Sequence, residues 1–143
     1  MFRKLTDSVY ASPQITLADI AEAKVRGFSM IVNNRPEDES DDQTPGDAIE
    51  AAAREAGLDY IAIPVTHSGF SEWQVDAMAE ALGRSTGPVL AYCRSGTRST
   101  LLWALAEAGR GGNPETLAAQ AGGAGYDISS VRPLVDMLAA RKG

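Results

Sequence analysis

Apolar positions along the chain follow two rhythms. Short apolar runs over Phe28 to Asn33 (FSMIVN), Asp59 to Ile63 (DYIAI) and Val89 to Tyr92 (VLAY) predict buried strands, with a shorter strand over Ser8 to Tyr10. Between them the spacing is helical. Thr16 caps a helix that turns Leu17, Ile20 and Ala21 inward and stops at Gly27. Asp47 to Ala56 is an alanine-rich helix ending at Gly57. Ser71 and Gln74 form a capping box ahead of a stripe of Val75, Met78, Ala79 and Leu82. Arg98 to Ala108 places Leu101, Leu102 and Leu105 inward. Helices near 114–121 and 131–141 follow, the second aligning Val131, Leu134, Val135 and Leu138. Tyr92, Trp73 and Trp103 fall inside these elements and are expected in or near the core.

Strand, helix, strand, helix at this pitch predicts βαβ units: an α/β fold with a central, mostly parallel sheet flanked by helices, as a single domain over 1–143. Ligands in such sheets sit at the carboxyl ends of the strands. Three loops are picked out in advance, those after Asn33, Ile63 and Tyr92. The first, residues 34–47 (NRPEDESDDQTPGD), holds six acidic residues and reads as a solvated acidic loop. Gly122-Gly123-Ala124-Gly125 follows no strand and reads as a flexible interhelix turn.

Composition narrows the function. Among 143 residues, 13 Lys+Arg stand against 19 Asp+Glu, a net charge of −6, which argues against nucleic acid and anionic membrane as partners. The N-terminal stretch has no apolar h-region and no run approaches a membrane span, so the expected compartment is the cytoplasm. Cys93 is the one cysteine, so no intrachain disulfide is possible. No metal site and no organic cofactor are implied.

The strongest chemical signal is that cysteine. Cys93-Arg94-Ser95-Gly96-Thr97-Arg98-Ser99 runs directly from a strand into a helix. Successive backbone N–H groups at a helix N-terminus make an anion site, and Gly96 lets the loop curl with its amides inward. The same amides, the helix dipole and Arg98 favour thiolate over thiol. A thiolate beside an oxyanion cradle suits attack on phosphorus or on sulfur. The bland alternative is a buried structural cysteine, a common fate for a free thiol.

Cys-Arg-Ser-Gly-Thr-Arg-Ser resembles the active-site loops of cysteine phosphatases and of rhodaneses. The resemblance extends through Ser12-Pro13-Gln14-Ile15, Gly27-Phe28, Ile31 to Glu37, Ala56-Gly57-Leu58, Ile63-Pro64-Val65, Leu90 to Thr100 and Trp103. Over about residues 8 to 130 the chain is similar to the beta-lactamase-hydrolase-like, phosphatase-like family. The resemblance implies a cysteine-phosphatase-like fold and a phosphate monoester hydrolase. Cys93 would be the nucleophile. Arg98 and the loop amides of Arg94, Ser95, Gly96, Thr97 and Arg98 would hold the oxyanions. Ser99 would bond the thiolate and assist breakdown of the covalent intermediate.

Three departures mark the loop. Four residues separate Cys93 from Arg98, where protein phosphatases of this type have five; this spacing, with Arg94 next to the cysteine, is closer to a rhodanese loop carrying a persulfide. Tyr92 stands where phosphatases place a histidine. The loop after Ile63 has no Asp to act as general acid, but it holds His67, the single histidine. An imidazole can carry that proton, which makes His67 a candidate acid; an idle exposed side chain is the alternative. Arg35 closes the first loop, where it would either meet a substrate anion or tie down the acidic loop through Glu37 or Asp38. The expected partner is a small-molecule or protein phosphate ester. The alternatives are a sulfurtransferase using sulfur donors and acceptors, and a non-catalytic anion-binding module.

Overall fold

The structure, a computed structural model, describes residues 2–142. Five strands form one sheet: β1 (Arg3–Lys4), β2 (Val9–Ser12), β3 (Met30–Asn33), β4 (Asp59–Ala62) and β5 (Val89–Tyr92). Their order is β1-β2-β5-β3-β4, with only β1 antiparallel. The helices are α1 (Leu17–Val25), α2 (Gly46–Glu55), α3 (Glu72–Arg84), α4 (Thr97–Gly109), α5 (Pro114–Gly123) and α6 (Arg132–Lys142), with a 3-10 turn at Ser129–Val131. This is the α/β architecture expected from the alternation.

Strand pleating divides the core in two. Val89 and Ala91 of β5, with Met30 and Val32 of β3, pack beneath α3, α4, α5 and α6. Leu90 and Tyr92, with Ile31, pack beneath α1 and α2. The central strands β3 and β5 are buried at every position, which is why they read as continuous apolar runs. The chain runs outward across one face through α1 and α2 and returns across the other through α3. Strand β5 thus inserts between β2 and β3, making its carboxyl end the switch point of the sheet. Ser12, Tyr92 and Asn33 lie in register there.

Several expectations need correction. Strand β1 is absent from the sequence reading, and the strand expected over Ser8 to Tyr10 runs instead from Val9 to Ser12. Helix α1 is capped by Thr16 and Asp19 as a box, but it buries Ile20 and Ala23, leaving Leu17 and Ala21 exposed. Trp73 is 55% exposed, because α3 buries Gln74, Met78, Ala81 and Leu82 and Trp73 falls beside that stripe. No helix among the described residues is long and apolar enough to cross a membrane.

Candidate active site

Cys93 follows β5 directly, and its amide donates to the Ser12 carbonyl at 3.3 Å, continuing the sheet by one bond. The chain then curls through Arg94, Ser95 and Gly96 into α4. Gly96 caps that helix in the left-handed conformation, with φ +92°. A Cβ on Gly96 would meet the Tyr126 hydroxyl at 2.0 Å, so both backbone and space demand glycine. The Gly96 N–H donates to Cys93 Sγ at 3.1 Å. The amides of Arg98 and Ser99 belong to the first turn of α4, which a helix leaves without internal acceptors. Cys93 is fully covered, at the floor of this loop.

Arg98 is 8% exposed and is gripped by a residue the sequence reading passed over. Its Nη1 donates to Glu39 Oε2 at 2.7 Å and to the Val65 carbonyl at 2.6 Å. Its Nη2 donates to Glu39 Oε1 at 2.9 Å. A guanidinium has five N–H groups. These bonds use one N–H of each Nη at its end and the other N–H of Nη1, leaving Nε–H and the second Nη2–H on its side edge without a hydrogen-bonded oxygen among the described residues. That edge has the parallel-fork geometry that takes two oxygens of an anion. Glu39 therefore braces the arginine without occupying its side edge. The Arg98 guanidinium holds the Glu39 carboxyl down at about 2 against partial burial, with help from Arg35. In return Glu39 raises Arg98, and the neighbouring Cys93 sulfur raises it further.

Arg35 ties down the acidic loop, but not through Glu37 or Asp38. Its Nε donates to Glu39 Oε1 at 2.9 Å, its Nη1 to Gln14 Oε1 at 2.9 Å and its Nη2 to Ser40 Oγ at 3.0 Å. At 4% exposed it belongs to the supporting frame. Glu37 instead accepts from the Gly46 amide at the start of α2, at 2.9 Å. The acidic loop is thus not simply solvated: one of its carboxylates reaches across to Arg98 because two buried guanidinium groups need a counter-charge.

Ser99 is fully buried, but its hydroxyl donates to Asn34 Oδ1 at 2.8 Å. The expected bond from Ser99 to the Cys93 sulfur is not made, because the one hydroxyl proton is committed to Asn34. Asn34 also donates to the Ile63 carbonyl at 2.9 Å, so it joins α4 to the carboxyl ends of β3 and β4. Arg94, Ser95 and Thr97 are exposed at the rim, with Ser95 Oγ donating to Thr97 Oγ1 at 3.0 Å. The Tyr92 side chain lies in the α1–α2 core, where burial pushes its phenol up. His67 is exposed in the loop after β4, and no hydrogen bond joins it to the cysteine loop among the described residues. Two residues earlier, Val65 places that loop on Arg98 through its carbonyl.

Sequence reasoning missed Glu39, Gln14, Asn34 and Tyr126. Gln14 and Asn34 lie inside the runs that carry the family resemblance but were given no role, Glu39 stands four residues after Arg35 in the same loop, and Tyr126 carried no signal.

Comparison with known proteins agrees with this fold. Residues 1–110 match the family described as beta-lactamase hydrolase-like protein, phosphatase-like domain. A beta-lactamase hydrolase-like protein of Xylella fastidiosa is 43% identical over 82 residues, covering 57% of this chain and 19% of that protein. Its counterpart from Agrobacterium fabrum is 32% identical over 105 residues, covering 73% of this chain and 24% of that one. The chain thus spans about a fifth to a quarter of the length of these curated relatives. A solved structure from Neisseria meningitidis, described as a “putative phosphatase”, superposes with a TM-score of 0.82 at 32% identity, covering 95% of this chain and 96% of that one.

Proposed function

We propose a function from the premise that this chain belongs to the beta-lactamase hydrolase-like, phosphatase-like domain family: it is a cysteine-dependent phosphate monoester hydrolase. One observation carries the reading. Cys93 and the side edge of Arg98 belong to a single loop at the carboxyl end of the central strand, with a loop amide donating to the sulfur.

The chemistry follows from that arrangement. The Cys93 thiolate attacks phosphorus of a monoester bound on the first-turn amides of α4 and the side edge of Arg98. The ester P–O bond breaks, and the leaving oxygen takes a proton from His67, the candidate acid, or from water. Water then attacks the phosphocysteine, releasing inorganic phosphate and restoring the thiolate. Ser99 supports this second step only indirectly, by fixing α4 to Asn34.

The spacing of four residues between Cys93 and Arg98 favours a second reading, a sulfurtransferase. There Cys93 takes the outer sulfur of a donor such as thiosulfate as a persulfide, releasing sulfite, and passes it to cyanide as thiocyanate. Incubation with an aryl phosphate and, separately, with thiosulfate separates the two, read by intact mass, phosphate release and thiocyanate. Phosphate release that disappears in Cys93→Ser, with no persulfide adduct, is the expected result. A persulfide on Cys93 with cyanide-dependent turnover and no phosphate release overturns it. Phosphate binding with neither activity makes the site a binding module.

A further inference from the structure

The Ser95–Gly96 peptide is held from both sides. On one side the Gly96 N–H donates to Cys93 Sγ at 3.1 Å. On the other the Tyr126 hydroxyl donates to the Ser95 carbonyl at 2.9 Å. The carbonyl of Ser95 and the N–H of Gly96 are two ends of one planar unit. In a trans peptide they point in opposite directions, and no peptide bond here is cis. Fixing the carbonyl outward therefore fixes the N–H inward, toward the sulfur. A flipped peptide would instead present a carbonyl oxygen, repulsive to a thiolate and to any bound anion.

Tyr126 is built for this placement. Its ring fills the space a Gly96 side chain would need, and it is 9% exposed. Burial pushes its phenol up, so the hydroxyl keeps the proton it donates. The Gly122–Gly125 segment, expected to be a flexible turn, is the device that delivers it. Helix α5 ends there, Gly125 takes φ +90°, and the Tyr126 amide returns to the Ala121 carbonyl at 2.9 Å. Arg3 stacks on the ring at 5.2 Å and donates to the Ala124 carbonyl at 3.3 Å, tying the turn to β1. All of this C-terminal part lies beyond the 1–110 stretch that matches the family.

We propose that Tyr126 is a positioning residue of the Cys93 site: its hydroxyl locks the Ser95–Gly96 peptide so that the Gly96 N–H faces the sulfur. The proposal rests on Cys93 being the nucleophile, and it holds for attack on phosphorus or on sulfur. It makes the segment after residue 110 part of the cradle, not a separate appendage.

Tyr126→Phe keeps the ring and removes only the hydroxyl. Arg3→Met loosens the turn but leaves the hydroxyl in place. Two readouts apply to wild type and both variants: hydrogen exchange at the Gly96 amide, followed by NMR, and the Kd for inorganic phosphate. Tyr126→Phe is expected to speed Gly96 exchange about tenfold and weaken phosphate about fivefold, the range one net hydrogen bond supplies. Arg3→Met is expected to stay within about twofold of wild type on both, since its hydroxyl bond survives. Unchanged Gly96 exchange in Tyr126→Phe overturns the proposal. So does an equal effect in Arg3→Met, which would assign the role to packing. Faster exchange with an unchanged phosphate Kd also overturns it. A wild type that neither binds phosphate nor releases it from an aryl phosphate refutes the phosphatase reading, while Gly96 exchange still decides the role of Tyr126.

Discussion

Glu39→Gln is the sharpest perturbation this site offers. Glutamine keeps the shape of the side chain but removes the charge and one of the two acceptor oxygens that Arg98 and Arg35 share. The Glu39 side chain is 19% exposed and that of Arg98 is 9%, so solvent screens the pair weakly. Holding a carboxyl at about 2 instead of 4.5 corresponds to about 3 kcal/mol of preference for its charged form. That sets the scale of the loss, because removing one partner of a buried pair leaves the other charge uncompensated. For a chain of this length the loss amounts to a fall in Tm of about 10 °C at pH 7.

The sign with pH follows from the direction of the shift. A carboxyl held lower in the folded state contributes stability that is present above its unfolded value of 4.5 and is lost as pH falls through about 2. Wild type therefore loses this contribution on acidification through that window, and Glu39→Gln, having no carboxyl there, does not. The gap between the two proteins is expected to close by more than half between pH 7 and about pH 3. Urea unfolding of both proteins at the two pH values measures it. Turnover on an aryl phosphate is expected to fall about tenfold as Arg98 loses its brace. A gap under about 0.5 kcal/mol at pH 7, or one that does not shrink on acidification, would refute the reasoning.

Two further substitutions test the division of labour. Arg98→Lys keeps the charge but cannot hold Glu39 at its end while offering a side edge to an anion, so kcat/KM on an aryl phosphate should fall about 100-fold or more; Arg94→Lys, at the exposed rim, should cost less than about fivefold. Similar losses for the two variants would mean that Arg98 is not the anion fork. His67→Ala should slow hydrolysis of an alkyl phosphate more than that of an activated aryl phosphate, since only the poor leaving group needs the proton. Parallel rates on the two substrates would remove His67 from the mechanism.

What could be read from the sequence was whatever local pattern dictates. Strand β5 appeared with its exact bounds because four consecutive apolar residues, bounded by the Thr86-Gly87-Pro88 turn and the cysteine loop, are too few for a helix and suit a strand buried on both faces. Cys93 and Arg98 were singled out because their loop has a spacing and a place at a strand-to-helix junction. The supporting frame was not legible, since its members meet only through the fold. Glu39 looked like one carboxylate among six; what distinguishes it is an arginine 59 residues away. Tyr126 reaches Ser95 across 31 residues and had no motif to mark it. Trp73 was misplaced for a local reason: one helical position, about 100° of rotation, separates it from buried Gln74.

The charges around the proposed site show how an acidic chain would hold an anion. Arg35 and Arg98 are both nearly buried, and they share the single carboxylate of Glu39. The trio carries one positive charge beyond the Glu39 carboxylate, approached from the surface only by Asp42 through Ser40 among the described residues, and the N-terminus of α4 adds a positive partial charge beside it. Either the Cys93 sulfur or a bound anion answers it, both within reach of one loop. Farther out the sign reverses. Asp38, Asp41 and Asp42 stand exposed on the loop that carries Glu39, and the whole chain is at −6. Attraction to the floor is short-ranged and only weakly screened, because the groups are nearly buried. Repulsion from the rim is long-ranged and fades over about 8 Å at physiological ionic strength. A polyanion meets the rim with many charges and the floor with few, so the field works against it. On the proposed phosphatase reading, a monoester on a neutral or basic body would meet the same rim with little cost and would keep the full benefit of the cradle.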